Sequence, residues 1–162
     1  YEVSAYARPG KQCAHNLNYW RFGDYLGIGA GAHGKISLPR SDEAEAGSAH
    51  ADDRILRRWK LKHPAAYLAQ AGMPAAIGGD EVIPAAQLPF EFMLNQLRLR
   101  ETFPLDRFEA RTGLSRDAIA APLAEAQARG WLRIEGDRVS PTDAGQRFAN
   151  DAISLFLPTD DA

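Results

Sequence analysis

The sequence predicts an α+β fold in two parts, and three observations carry that expectation. Up to residue 80 the apolar residues come in short alternating runs broken by Gly and Pro. From residue 81 they recur at helical spacing. The element order in that second part, helix, helix, helix, hairpin, helix, is winged-helix-like. A chain of 162 residues, 45% of them hydrophobic, is long enough for one domain or two small ones. Folding at this size buries roughly 70% of the unfolded surface, so a core forms without disulfide staples. The expected domains are residues 1–80 and 81–162.

In the first part, Tyr1 to Ala7 alternates like a strand, and Arg8-Pro9-Gly10-Lys11 breaks it with turn residues. Residues 12–24 (QCAHNLNYWRFGD) mix amides, a thiol, an imidazole and aromatic rings without clean periodicity and read as a loop between strands. Tyr25 to Gly29 is expected as a short buried strand ending in the glycine-rich turn GIGAGAHG, and Lys35 to Leu38 as an outer strand. The polar, acidic stretch 39–53 reads as an exposed, weakly ordered connection. Arg54 to Lys62 alternates and is expected to pair with Lys35 to Leu38. Pro64 then opens a short helix through Ala71, which Gly72 closes.

In the second part, Phe90, Met93, Leu94 and Leu97 fall at i, i+3, i+4 and i+7, one apolar stripe of a helix. Pro104 to Arg111 reads as a short helix closed by Gly113. Ser115 caps a third helix in which Ile119, Leu123 and Ala126 share a face up to Gly130. Trp131 to Ile134 and Arg138 to Ser140 flank the turn Glu135-Gly136-Asp137 as a hairpin. Thr142 precedes a last helix with Phe148, Ile153 and Leu155 on its apolar side.

Charge and cysteine content exclude several classes. The chain carries 19 Lys plus Arg against 21 Asp plus Glu. Its first 80 residues are net +2, whereas residues 81–162 are net −4 with no Lys at all. A module for phosphate backbones shows a basic face, so a winged-helix nucleic-acid-binding module stands only as the third alternative and no nucleic acid is expected. The third helix, the groove reader of a winged helix, sets Arg116 and Arg129 against Asp117 and Glu125 and has no basic stripe. One cysteine, Cys13, excludes an internal disulfide, a multi-cysteine zinc site and a self-contained iron-sulfur cluster. No run of about 18 apolar residues and no secretory leader is present, so the expected location is cytoplasmic. The chain starts at Tyr1 rather than Met, inside the strand pattern, and is expected to be the carboxy-terminal piece of a longer protein.

Two segments draw attention as chemistry. His15-Asn16-Leu17-Asn18-Tyr19-Trp20 sets an imidazole beside amides and two large rings, a combination suited to a flat aromatic ligand. Imidazole nitrogen is a common axial ligand of haem iron, and Tyr19 and Trp20 supply an apolar wall with polar tips. On composition alone the packing reading is favoured: Tyr19 and Trp20 as core, His15 and Asn16 bonded to loop backbone. The turn Gly27-Ile28-Gly29-Ala30-Gly31-Ala32-His33-Gly34 is permissive at four positions, so its N–H groups can converge on a ligand; equally, its glycines can serve only to avoid clashes. It lacks the Lys-Ser or Lys-Thr ending of a phosphate-binding loop, which argues against nucleoside-triphosphate hydrolysis. Cys13 is treated as incidental, and His50 and His63 as surface residues.

The succession SAYARPG, CAHNLNYW, GDYLGIGAGAHG and RRWKLKHP closely resembles the carboxy-terminal part of the HemW family of radical-SAM haem chaperones, relatives of oxygen-independent coproporphyrinogen III oxidase. HNxxYW is its most specific element. The likeness covers essentially the whole chain, more loosely in the second half. It implies that residues 1–80 are the closing strands of a partial (β/α) radical-SAM barrel with the following hairpin and short helix. It implies a parent protein with a 4Fe-4S cluster and S-adenosylmethionine, neither of which this chain is expected to hold, because the CxxxCxxC motif cannot be written with Cys13 alone. Oxidase activity on coproporphyrinogen is the enzyme alternative, and this chain should be inactive alone.

By the same resemblance, the haem-binding histidine of HNxxYW falls on His15, as iron ligand, with Asn16, Tyr19 and Trp20 around the haem; this moves His15 to the functional side. Gly29, Ala30, Gly31, Ala32 and His33 match a turn that lies near S-adenosylmethionine in the related oxidase. There an apolar contact residue is replaced by His33, which puts a second S-adenosylmethionine in doubt and makes His33 an alternative haem ligand. The loop 13–20 and the turn 27–34 are expected on one sheet edge, within reach of one ligand. Implied partners are haem-acceptor proteins, an encounter with the membrane surface through such acceptors, and the parent's amino-terminal barrel. No oligomeric state is implied.

Overall fold

The computed structural model describes residues 1–38 and 54–158. In chain order its elements are α1 (Ala14–Trp20), β1 (His33–Leu38), β2 (Arg54–Lys60), α2 (Pro64–Gln70), β3 (Ile77–Val82), α3 (Leu88–Gln96), β4 (Phe103–Pro104), α4 (Asp106–Thr112), α5 (Ala120–Ala128), β5 (Leu132–Glu135), β6 (Arg138–Pro141), α6 (Asp143–Arg147) and α7 (Ala149–Ser154). These pack as two compact units: a sheet unit, Gly23–Ile83, and a helical unit in which Tyr1–Phe22 joins the chain from Pro84 onward. The chain-order division at residue 80 therefore differs from the packing division. The reason is Phe22, whose ring lies 5.8 Å from that of Phe92 and draws the amino-terminal residues into the helical unit.

The sheet unit is a three-stranded antiparallel sheet in the order β1-β2-β3. The expected pairing of β1 with β2 is present, with His33 opposite Trp59 and Lys35 opposite Arg57. Strand β3, which the sequence does not suggest, pairs with β2 through Trp59 opposite Gly79. Its sequence IGGDEV holds two glycines, poor strand formers, and the second leaves the space that the Trp59 ring occupies. Pro64 stands at the first position of α2, and Gly72 follows the helix with φ +83°.

Two expected strands are absent. Tyr1 to Ala7 forms only a single bridge, Glu2 with Leu99, because local bonds curl the chain: Ser4 donates its N–H and hydroxyl to Glu2, and the Tyr1 amino group donates to the Ala5 carbonyl. Tyr25 alone bridges to Lys35, and Leu26 and Ile28 are exposed, so residues 25–29 are not a buried strand. A third correction concerns residues 12–24, read as a loop: Ala14–Trp20 is the helix α1. The segment 39–53, with its expected weak order and His50, lies outside the described residues.

In the helical unit the expected order of helices and hairpin is present, with the short strand β4 added to give a second sheet, β4-β6-β5. Ser115 and Thr142 act as caps, their side chains accepting N–H bonds from Asp117 and Gly145, while Gly113, Gly130 and Gly136 take the left-handed conformation. The core is centred on Phe92, whose ring meets those of Phe22, Phe103 and Phe108 edge to face at 5.8, 6.0 and 5.3 Å. The expected stripe on α3 is shifted. Leu88, Phe92, Met93 and Leu97 are buried, Phe90 is half-buried and Leu94 is exposed, because α3 is covered on more than one side and also buries Glu91, Asn95 and Gln96. The expected last helix is broken at Phe148 into α6 and α7, which leaves that ring 47% exposed.

Candidate functional site

Helix α1 is short and buries none of its residues fully, and its first residue has no side-chain cap. An isolated seven-residue helix is unstable in water, so tertiary contacts must hold it. They lie at its carboxy-terminal end. Arg21 closes α1 and grips Glu101 with Nε and Nη2 at 2.9 and 2.6 Å. Phe22, 1% exposed, anchors the core with φ +59°, a conformation that a bulky residue keeps only where packing enforces it. At the other end, Asn16 donates from Nδ2 to the Tyr1 hydroxyl at 3.3 Å.

On this helix His15 is exposed, and no described hydrogen bond or ion pair engages its imidazole. Tyr19 and Trp20 are half-buried and meet edge to face, ring centroids 4.6 Å apart at 84°. One face of the Trp20 ring is covered by the Arg98 guanidinium, 4.5 Å from its centroid. Arg98 in turn reaches the buried carboxylate of Glu2 at 3.4 Å. Burial pushes the Glu2 carboxyl up, but the two bonds from Ser4 and the charge of Arg98 outweigh it and hold it below the usual carboxylate range.

A second polar cluster stands behind α1. Glu101 accepts from Arg21 and, at 2.7 Å, from Arg107, which also donates to the Oε1 of the fully buried Gln96 at 3.0 Å. Burial raises the Glu101 carboxyl, yet the arginine hydrogen bonds and charges prevail and its pKa is lowered. The bond to Glu101 raises that of Arg21.

The glycine turn lies in the sheet unit, so His15, Asn16, Tyr19 and Trp20 fall in one unit and Gly29, Ala30, Gly31, Ala32 and His33 in the other. Three N–H groups of the turn already have acceptors: Gly29 donates to the Tyr67 hydroxyl, Gly31 to the Leu61 carbonyl and Ala32 to the Gly29 carbonyl, at 3.2, 2.8 and 3.2 Å. A side chain at Gly27 would collide with the His33 carbonyl. His33 is exposed, its ring 6.3 Å from that of Trp59. Beside the turn, the buried Lys35 is paired with Asp24 at 3.1 Å. Burial raises the Asp24 carboxyl, but Ser37 and Lys35 together lower it.

Cys13 is exposed and reduced, His63 is exposed, and among the described residues no group of three His, Cys, Asp or Glu converges as a metal site. No described helix is long and apolar enough to cross a membrane. The residues around the candidate site that the sequence did not single out are Arg21, Arg98 and Glu101. No local motif marks them, because each works through a partner about 80 or more residues away.

This mixed α/β architecture has known counterparts. Residues 83–148 match the family model described as the HemN C-terminal domain. The chain is similar to the proteins named heme chaperone HemW. It is 44% identical to the Heme chaperone HemW of Escherichia coli strain K12 and 40% identical to that of Haemophilus influenzae, each over 157 residues and 97% of this chain. It spans 37% of the length of either relative. The solved structure titled "Coproporphyrinogen III oxidase (HemN) from Escherichia coli is a Radical SAM enzyme" superposes on 83% of this chain and 28% of its own, at TM-score 0.49 and 15% identity.

Proposed function

We propose that this chain is part of a haem chaperone and that α1 offers haem its iron ligand, His15, for transfer to acceptor proteins. The observation that carries the reading is the state of the HNxxYW segment: a helix tied down at both ends whose imidazole is exposed and has no described partner. An exposed imidazole without a structural hydrogen bond can offer a ring nitrogen to iron without first breaking such a bond. Asn16 fixes the start of the helix, and Tyr19 and Trp20 stand half-buried further along it, within reach of the apolar rim of a macrocycle. Bound haem is the cargo, and the chain's task is to hold and release it.

In this reading the 4Fe-4S cluster and S-adenosylmethionine belong to an amino-terminal barrel that partners this chain, since one cysteine cannot supply a CxxxCxxC set. Coproporphyrinogen oxidation would require that same cluster. The second half is read as winged-helix-like without a nucleic-acid role, because Arg116 and Arg129 are neutralised by Glu109 and Glu125 at 2.7 and 2.6 Å. His33 is the alternative iron ligand, and Gly29 to Ala32 a contact surface whose free donors are few. A cytoplasmic setting completes the proposal.

A haem titration followed by absorbance on this chain, His15→Ala and His33→Ala tests it. Saturation near one equivalent that is lost in His15→Ala supports the assignment. Loss only in His33→Ala transfers the ligand to the glycine turn. Weak, unsaturated spectra in all three would falsify haem binding by this chain.

A further inference from the structure

We propose that the pocket lined by Arg98 in the helical unit binds the carboxylate-bearing edge of a porphyrin, with Arg98 as the carboxylate-binding residue. The inference rests on the haem reading above and adds the contact that selects a porphyrin acid. The pocket, about 280 Å³, is lined among others by Val3, Leu94, Arg98, Arg147, Phe148 and Asp151. Val3, Leu94 and Phe148 are 53%, 38% and 47% exposed, so three large apolar side chains meet water around one concavity. Two guanidinium groups, those of Arg98 and Arg147, share that concavity with the Asp151 carboxylate, and Arg98 also reaches the buried carboxylate of Glu2. Apolar walls with guanidinium donors at the rim suit a flat apolar body that carries carboxylates at its edge, and the volume, at the small end for ligand pockets, suits an edge rather than a whole macrocycle.

Arg98 is prepared for this role. A guanidinium has five N–H donors. Those of Arg98 make two long contacts, Nη2 to Glu2 at 3.4 Å and to Ser4 Oγ at 3.5 Å, and Nε is buried without an acceptor. Glu2 also accepts from Ser4, in bonds of 2.8 and 2.6 Å that are shorter than its contact with Arg98. The ring of Trp20 holds the guanidinium plane without using any N–H. Trp20 thus positions Arg98 in addition to the part proposed for it beside haem.

The test compares haem with its dimethyl ester, in which both carboxylates are masked, by absorbance titration of the wild-type chain. Arg98→Ala and Arg98→Lys follow, each first checked for folding by circular dichroism. The free acid is expected to bind at least about tenfold tighter than the ester, the size of one charge-assisted hydrogen bond. Arg98→Ala should lose most of that preference and Arg98→Lys keep part of it. Oleate, a carboxylate on an apolar chain without a macrocycle, should not displace haem at equal concentration. Equal affinity for acid and ester in the wild-type chain overturns the proposal while leaving His15-dependent binding intact, and needs no variant to fold. An undiminished preference in Arg98→Ala, or displacement by oleate, also overturns it. Absence of haem binding altogether removes both this proposal and the reading on which it rests.

Discussion

Arg21, the residue that closes the candidate haem helix, is joined side by side to Glu101 through contacts of 2.9 and 2.6 Å across 80 positions of chain. Parallel N–H···O bonds of this kind combine charge with fixed geometry. Since α1 buries no residue fully, this clasp and the Phe22 anchor are what convert CAHNLNYW from an aperiodic string into a helix. Glu101→Ala is therefore expected to loosen α1 and lower stability by about 1–2 kcal/mol, discounted for the partial exposure of Arg21. Glu101→Gln should cost less. Urea unfolding gives the stability, and hydrogen exchange at residues 14–21 locates the effect. Unchanged protection of α1 in Glu101→Ala would show that the Arg21–Glu101 clasp is not what holds the helix.

The pH dependence follows from the same groups. The carboxyls of Glu2, Asp24 and Glu101 are all held below their ordinary range in the folded chain. A carboxylate whose folded pKa is depressed stabilises the fold fully above its unfolded value, roughly pH 4, and that contribution disappears as pH falls through the folded pKa. The urea midpoint should accordingly stay level from pH 7 to about pH 5 and drop steeply below about pH 4. In Glu101→Gln the acid limb should be shallower. A midpoint that rises on acidification contradicts the sign assigned to all three groups.

Phe92 is the hub of the core, fully buried and edge to face with Phe22, Phe103 and Phe108. Phe92→Ala leaves a cavity between three rings and should cost about 3–5 kcal/mol. Phe92→Leu, which fills most of that space, should cost clearly less. Calorimetric unfolding measures both, and equal small losses would mean that the aromatic contacts contribute little.

What the sequence made legible divides along the range of the interactions. Elements fixed by neighbours in the chain were readable: Ser115 and Thr142 as caps, Gly113, Gly130 and Gly136 as turn residues, and Ile119, Leu123 and Ala126 as one buried face. The pairing of β1 with β2 was readable from alternation. Elements fixed at a distance were not. Helix α1 depends on Arg21 reaching Glu101, and β3 is a strand although two of its six residues are glycine. The alternation at Tyr1 to Ala7 misled, since Glu2 bonds to Ser4 and no strand is completed. Of the candidate site, His15, Tyr19 and Trp20 were visible as a motif, whereas Arg98 became visible only through its place over the Trp20 ring.

Gly79 offers a test of the sheet that presents His33. The Trp59 ring lies where a Gly79 side chain would stand, and His33 is opposite Trp59 on the other neighbouring strand. Gly79→Ala must displace the ring, since a methyl group has no vacant volume there, and overpacking of this kind costs about 1–3 kcal/mol. If the collision with the indole is the cause, the cost should largely vanish in a Trp59→Leu background, where the smaller side chain leaves room. The pair forms a double-mutant cycle in which the coupling, rather than either single change, reports the contact. A Gly79→Ala cost that persists in Trp59→Leu would place its origin in the strand backbone. Gly79 would then serve the conformation of β3 rather than the position of the ring beside His33.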